Sequence, residues 1–217
     1  MKFYNLLIKY RFWAGIASLI IGLLLQFAGL GDIWAAIIFY TLSVIAIFTH
    51  FFIGPLRLVQ EPMENGDVEQ VERIIKSVWF PRLLFKPIRS SYYTLIGNIA
   101  MANKDFDTAE KNLKMSAAVG SKMAENEGST KVQLGMVALQ KSNFKDSEKY
   151  FREALKISLD SDNKAMALLG MVQIYMNKRD IRAGKDFLMR AKNCKSKNEQ
   201  VVAQIKDLDK HLARVPG

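Results

Sequence analysis

The sequence predicts an all-α protein with a two-helix transmembrane hairpin at its N-terminus, then a solenoid of helix–turn–helix units and a C-terminal capping helix. Three observations support this prediction. An apolar run covers residues 12–53 and is interrupted once, at residues 29–32. A repeat of 37 or 38 residues follows that run. Finally, apolar residues recur at helical spacing in residues 197–212, which is typical of an amphipathic helix.

The apolar run is long enough for two membrane spans. Residues 12–30 and 33–53 lack ionised side chains, and Asp32 between them is the one ionised residue of the whole run. At about 1.5 Å per helical residue, each stretch reaches roughly 30 Å, the thickness of the hydrocarbon core of a bilayer. Gly29 and Gly31 can form a tight turn, and Asp32 can cap the second helix. We therefore predict two transmembrane helices at about 12–30 and 33–53.

Basic residues flank the hairpin, whereas its turn has none. Lys2, Lys9 and Arg11 precede the first span, and Arg57 follows the second. The positive-inside rule then predicts that both termini are cytoplasmic. A bacterial inner membrane is the simplest host, although an organelle membrane facing the cytosol also fits. Residues 1–11 are apolar and basic, and they suit a short helix in the inner interface.

Small residues predict where the two spans meet. Ala14, Ser18 and Gly22 recur every fourth residue, a spacing that lets helices approach closely. This seam fits packing within the hairpin, and dimerisation into a homo-oligomer is the alternative. Gln26 is a candidate for a hydrogen bond across the seam. Trp13 and Trp34 are expected near the membrane–water interfaces, where tryptophan is enriched.

Beyond the hairpin, a polar residue followed by an apolar one recurs at nearly constant spacing. The four pairs are Asp67-Val68, Asp105-Phe106, Asn143-Phe144 and Asp180-Ile181. Apolar or small residues follow each apolar member at +3, +7 and +10, which keeps one face of a helix, and the polar member is a natural N-cap. A second helical pattern precedes each of the last three pairs. Such units bury their apolar faces by stacking into a solenoid.

The repeat resembles the tetratricopeptide repeat (TPR), a helix–turn–helix unit of about 34 residues. The resemblance covers about residues 90–195 and rests on IGNIA with DFDTAEKNL, LGMVA with NFKDSEKYFREAL, and MVQIY with DIRAGKDFLMRA. The spacing is longer than in the family, and Val172 stands where the first two units have glycine. The resemblance implies three repeats at 90–196, a degenerate first repeat at 54–89 and a capping helix and tail at 197–217.

A TPR solenoid binds peptides or partner helices in a concave groove, and the resemblance implies its lining here. The implied groove residues are Thr94, Asn98, Met101, Val132, Met136, Gln140, Leu169, Gln173 and Met176, with Ser91, Leu139 and Met166 beside them. Methionine suits irregular apolar ligands, and burial in the core is the alternative for these methionines. Some TPR proteins bind a partner's C-terminal carboxylate through Lys, Asn and Arg. Asn98 matches, but Thr94, Met166 and Gly170 replace the cations, which disfavours such a clamp.

Two basic regions indicate further contacts in a chain of net charge +10. The first is a basic patch of Lys178, Arg179, Arg182, Lys185, Arg190 and Lys192. An acidic protein is its expected partner, because the patch lacks the aromatic residues and motifs typical of nucleic-acid binding. The second is the aromatic-basic segment, residues 79–89, with sequence WFPRLLFKPIR. Its Trp79, Arg82, Lys86 and Arg89 suggest contact with anionic lipid head groups, and packing between repeats is the alternative.

Catalytic and metal-binding motifs are missing from the sequence. Cys194 is the single cysteine, and His50 and His211 lie far apart. Neither a phosphate-binding loop nor a nucleophile elbow appears. We therefore predict a protein without cofactor, metal or enzymatic activity. The sequence favours an integral membrane adaptor that recruits partners at the cytoplasmic face, and the alternative is a structural subunit of a larger membrane complex.

Overall fold

A computed structural model describes residues 2–27, 33–53, 56–120 and 124–214, and this part of the chain is helical without a strand. The predicted all-α fold is therefore confirmed. The chain divides into two compact units, residues 1–92 and 93–217, and we describe each by itself.

The first unit begins with two long apolar helices, α1 (Lys2–Phe27) and α2 (Ile33–Ile53). Helix α1 is continuous from Lys2, so the residues predicted as a separate interfacial helix belong to the same helix as the first span. The predicted turn at Gly29 and Gly31, with Asp32 as a helix cap, lies outside the described residues.

Glycines bring α1 and α2 together as antiparallel helices. A Cβ added to Gly22 would lie 2.7 Å from Cε1 of Tyr40, and one added to Gly15 would lie 3.0 Å from Cγ1 of Ile47. The predicted seam is therefore corrected at one position. Ala14 is exposed, and Gly15 makes the contact, because the face of α1 towards α2 passes one residue further along the chain.

Polar side chains within the hairpin also bond across the two helices. The Ser18 hydroxyl donates to the carbonyl of Phe39 at 2.8 Å, and the Tyr40 hydroxyl donates to Oε1 of Gln26 at 2.5 Å. Both bonds satisfy polar groups on otherwise apolar helices, where an unpaired group is costly. Gln26 thus bonds across the seam, as the sequence indicates.

The rest of the first unit is a shortened version of the helix pair. A 3₁₀ turn (Leu56–Val59) and the five-residue α3 (Gln60–Glu64) stand where a repeat would have its first helix. Helix α4 (Val68–Lys76) occupies the predicted second helix and buries Val71 and Ile75. A second 3₁₀ turn, Pro81–Leu83, leads into α5, within which the boundary between the two units falls.

The second unit stacks three helix pairs and ends in one further helix. They are α5 (Lys86–Ala102) with α6 (Phe106–Val119), α7 (Ala124–Gln140) with α8 (Phe144–Ala154), α9 (Ser161–Asn177) with α10 (Ile181–Asn193), and the capping helix α11 (Glu199–Ala213). The predicted apolar face of each second helix is buried, as Ala109, Leu113 and Ser116 of α6 illustrate. Helix α11 buries Val201, Ile205 and Leu212, as a cap requires.

The turn within each pair is built in the same way. In the first full pair, Lys104 adopts φ +60° and Asp105 N–H donates to the carbonyl of Ala100, which together close α5 in a Schellman motif. The same Asp105 then caps α6, since its carboxylate accepts from the Thr108 N–H at 3.1 Å. One residue thus ends one helix and begins the next. The other turns repeat this geometry, with Gly66, Ser142 and Arg179 at positive φ and Asp67, Asn143 and Asp180 as the caps.

Phe151 is the largest fully buried side chain in the second unit. A Cβ added to Gly135 of α7 would lie 2.6 Å from Cε1 of this ring, and one added to Gly170 of α9 would meet the opposite ring edge. The ring therefore fills a slot between the first helices of two successive pairs, and the two glycines set its width.

Ion pairs join successive pairs at the surface. Lys141 after α7 contacts Asp107 and Glu110 of α6, and Lys178 after α9 contacts Glu148 of α8. Hydrogen bonds from Lys114 and then Lys141 lower the pKa of Glu110. These repeated contacts hold each pair in register with the next.

Candidate functional site

A cavity of about 240 Å³ lies within the second unit, between α7, α9 and α11. Its lining comes from the first helices of two successive pairs and from the capping helix. The lining residues are Met136, Met166, Leu169, Gly170, Gln173, Asn198, Gln200, Val201 and Gln204. This is the candidate functional site.

The repeat places its residues in columns, one residue from each first helix. Asn98, Met136 and Gln173 form one column at spacings of 38 and 37 residues, and all three are half-buried. Met136 and Gln173 both line the cavity. Met136 and Gln173 of this column therefore present accessible side chains to the cavity.

The second implied column, formed by Thr94, Val132 and Leu169, packs inward instead. Val132 is 0% exposed and Leu169 is 1% exposed, and both belong to the core, although Leu169 also forms part of the cavity wall. Thr94 shares a hydrogen bond of 2.7 Å with Ser116 of α6. Fewer of the implied residues are accessible than the resemblance suggests, because this column is buried or bonded to a second helix.

The remaining implied residues divide between core and surface. Met101 and Met176 are half-buried and pack against the core of their pairs, which is the alternative that the sequence left open. Leu139 is buried, whereas Gln140 and Ser91 are exposed.

Helix α11 and its N-cap residue contribute four lining residues that the sequence predicts only as parts of a capping helix. The signal was present in the repeat, since the caps Asp160 of α9 and Asn198 of α11 are 38 residues apart. By this spacing, α11 occupies the place of a first helix in a further unit. Adding 38 residues to Met166 would have assigned Gln204 to the groove, whereas Gln200 and Val201 correspond to positions 162 and 163, outside the implied lining.

The polar groups of the cavity are amides. Oδ1 of Asn198 accepts from the backbone N–H groups of Gln200 and Val201, so this oxygen is used in capping α11. Within the described part of the chain, no hydrogen bond holds the side chains of Gln173, Gln200 or Gln204. Each of these three amides offers both a donor and an acceptor, as a peptide backbone requires.

The lining of the cavity is uncharged. Met166 and Gly170 line it where a carboxylate clamp would place cations, so the main charge-assisted bonds to a C-terminal carboxylate are missing from this wall. Met136 and Met166 add flexible apolar surface, which adapts to irregular side chains. The wall can hold a segment through its main chain and its apolar side chains.

The structure shows that the predicted basic patch is partly neutralised. Lys178 pairs with Glu148 and lies over the ring of Tyr175, and Lys192 pairs with Asp209 of α11. Arg190 lies 3.9 Å from Asp186 and over Phe187. Arg179 and Arg182 are exposed, and Lys185 is half-buried. Two of the six cations, Lys178 and Lys192, thus join different helices.

The predicted membrane-interface residues lie in the first unit, and most are exposed. Trp13, Trp34 and Trp79 expose about two thirds or more of their side chains. Arg82 and Lys86 are exposed too, whereas Arg89 is half-buried because its guanidinium donates to the carbonyl of Arg82.

Comparisons with known proteins agree with the helix-pair architecture. Residues 129–161 match the tetratricopeptide repeat family model, which supports a TPR protein. The structure is similar to the crystal structure of BtubC (BKLC) from P. vanneervenii, with a TM-score of 0.55 and 12% identity. That match covers 95% of this chain and 84% of the other, and at this identity it shows the fold alone. A search of curated proteins found no match.

Proposed function

We propose that this chain is an integral membrane TPR adaptor, which holds a protein partner at the cytoplasmic face of a membrane. The observation that carries the proposal is the uncharged cavity between α7, α9 and α11, with its three glutamines and two methionines. TPR repeats generally mediate protein–protein interactions, and the family match lies on α7 and α8.

The length and the exposed surface of α1 and α2 support membrane insertion. Both helices contain a stretch long and apolar enough to cross a membrane, Tyr10–Phe27 and Ile33–Phe51. Only 11% of each stretch is buried, whereas a core helix of a soluble domain would be mostly buried. A lipid environment would cover these exposed apolar side chains. The flanking basic residues favour cytoplasmic termini, and we take a bacterial inner membrane as the simplest location.

The adaptor role can be tested by photocrosslinking in native membranes. A photoreactive amino acid at Gln173 of α9 or Gln204 of α11, which both line the cavity, should capture the same partner. The matched control is Met189 on α10, which is exposed but does not line the cavity. We expect Met136→Trp, which fills the cavity, to abolish the crosslinks from both positions. Equal capture from Met189, or capture unchanged by Met136→Trp, would contradict the groove assignment.

A structural subunit of a membrane complex is the second candidate. The exposed faces of the hairpin favour it, because Ile38 and Val44 of α2 could pack against other membrane helices instead of lipid. The mass of the detergent-solubilised protein distinguishes the candidates. A free monomer or dimer supports the adaptor, and stable co-purification with other membrane-spanning chains supports the subunit.

A further inference from the structure

The aromatic-basic segment lies against one end of the hairpin within the first unit. The Trp79 ring is 6.0 Å from the Phe12 ring of α1, and the Phe80 ring is 5.9 Å from the Phe51 ring of α2. Phe12 and Phe51 are themselves 6.1 Å apart, at the end where α1 enters and α2 leaves its apolar stretch. These contacts place Trp79 and Phe80 at the level of that end of the hairpin.

The segment turns its apolar side chains outward. Leu84 is 3% exposed and attaches the segment to the unit, whereas Trp79 is 67% exposed. Phe80, Leu83 and Phe85 are exposed by about half. Four large apolar side chains that stay exposed beside one buried anchor form a surface patch, and such patches mark interaction sites.

The charges beside this patch are positive. Arg82 and Lys86 are exposed, and no described carboxylate lies within ion-pair distance of either. The carboxylates of α4 are engaged elsewhere, since Glu69 pairs with Arg73 and Glu72 with Lys76. The two cations are therefore available to an anionic surface.

We infer that the aromatic-basic segment lies in the membrane interface and binds anionic phospholipid head groups. Trp79, Phe80, Leu83 and Phe85 enter the boundary between head groups and acyl chains, where aromatic rings are favoured. Arg82 and Lys86 contact the lipid phosphates, to which basic residues next to a membrane are attracted. The Arg89 guanidinium fixes the loop by bonding to the carbonyl of Arg82. This inference rests on the proposed insertion of the hairpin, which sets the level of the segment.

Tryptophan fluorescence of the full chain in proteoliposomes tests the inference. One variant carries Trp13→Phe and Trp34→Phe and reports on Trp79 alone. A second carries Trp13→Phe and Trp79→Phe and reports on Trp34, which belongs to an apolar helix of the hairpin. Both are measured in vesicles of phosphatidylglycerol and phosphatidylcholine whose acyl chains carry bromine near the glycerol.

We expect bromine to quench both tryptophans and the Trp79 emission to shift to the blue relative to the detergent-free unfolded chain. Quenching of Trp34 without quenching of Trp79 would overturn this inference and leave the hairpin proposal intact. If neither tryptophan were quenched, both the proposed membrane insertion and this inference would be overturned. If Trp79 were shielded but unquenched, and its shielding rose with the protein-to-lipid ratio, a second copy would cover the segment and the inference would fail.

The head-group preference is tested with charge-neutralising variants in the Trp79 background. We expect Arg82→Gln with Lys86→Gln to remove the difference in Trp79 quenching between anionic vesicles and vesicles of phosphatidylcholine alone. Lys145→Gln with Lys149→Gln makes the same change in net charge on exposed positions of α8 and should preserve that difference. An unchanged difference in the first variant, or an equal loss in the control, would overturn the assignment of these cations.

Discussion

The hairpin and the first full repeat pair bring their helices together in the same way. A Cβ on Gly22 of α1 would lie 2.7 Å from Tyr40 of α2, and a Cβ on Gly97 of α5 would lie 2.7 Å from Leu113 of α6. Their outer faces are opposite, however. Ile38 of α2 is 60% exposed, whereas α6 presents charged side chains such as Lys111 to its surroundings.

This difference shows that the inner and outer faces of a helix pair have separate roles. Small residues facing large ones decide how closely two helices approach, whether the surroundings are water or lipid. The side chains on the outer faces decide which surroundings are tolerated. Changes to the inner faces should therefore affect both kinds of pair, whereas caps and ion pairs should matter only in the repeats.

The largest expected effect comes from removing the ring that three repeat helices share. Phe151→Ala should lower the free energy of unfolding by about 3–5 kcal/mol, because it leaves a cavity between Gly135 and Gly170. Urea unfolding of the full chain in detergent, followed by circular dichroism, measures this loss. Met189→Ala, at an exposed position of α10, should change stability by less than about 0.5 kcal/mol and serves as the control.

A matched pair of glycine substitutions compares the two kinds of helix pair directly. Gly97→Ala should cost about 1–3 kcal/mol, because Leu113 is fully buried and has no room to move. Gly22→Ala should cost less, because the half-buried Tyr40 can rotate outward. Hydrogen exchange measured by mass spectrometry reports local opening in each pair. Equal increases of exchange in both pairs would show that side-chain mobility does not control the cost.

Helix caps should matter at every turn of the repeats. Asp180→Ala removes the acceptor for the Ala183 N–H of α10 and should cost about 1 kcal/mol. Asp180→Asn keeps an acceptor and should restore most of the stability. Urea unfolding of both variants checks the prediction, and equal losses in the two would mean that the cap bond contributes nothing.

The smallest expected effect is the loss of stability at low pH that follows from the Glu148 ion pair. The Lys178 ammonium, followed by the Arg152 guanidinium, lowers the pKa of the Glu148 carboxyl. Because this folded-state pKa is depressed, its stabilisation is present above the unfolded pKa of about 4.3 and disappears as the pH falls through the folded value. Glu148→Gln should therefore cost up to about 1 kcal/mol at pH 7 and nothing at pH values below the folded pKa. Urea unfolding over this pH range measures it, and a pH-independent difference would contradict the ion-pair origin.

Much of the solenoid could be predicted from the sequence because local signals coincide there. The N-cap and the first apolar residue fixed the start of each second helix, so Phe106, Phe144 and Ile181 begin their helices as the repeat indicates. The apolar face was equally clear, since its spacing is that of one helix side.

The features that the sequence does not predict depend on how the helices face each other in three dimensions. Small residues stand at 14, 15, 17 and 18, so their pattern alone cannot select Gly15 over Ala14 as the contact. Val132 has the register of a groove residue, but in the structure it is fully buried in the core. The sequence pattern also hides the ion pairs of Lys178 and Lys192, because both join residues about 17 to 30 positions apart.

At each turn within a pair, one residue both closes the first helix and caps the second. This arrangement affects where residues can be inserted into the chain. Every described connection from the first helix of a pair to the second has three residues, whereas those from one pair to the next vary, as the six residues 155–160 and the five residues 194–198 show. An insertion at Asp105 or Asp180 would separate the closing bond of one helix from the cap of the next. Residues added between pairs would leave these shared caps in place, so we expect a new loop or label to disturb the repeats less there than within a pair.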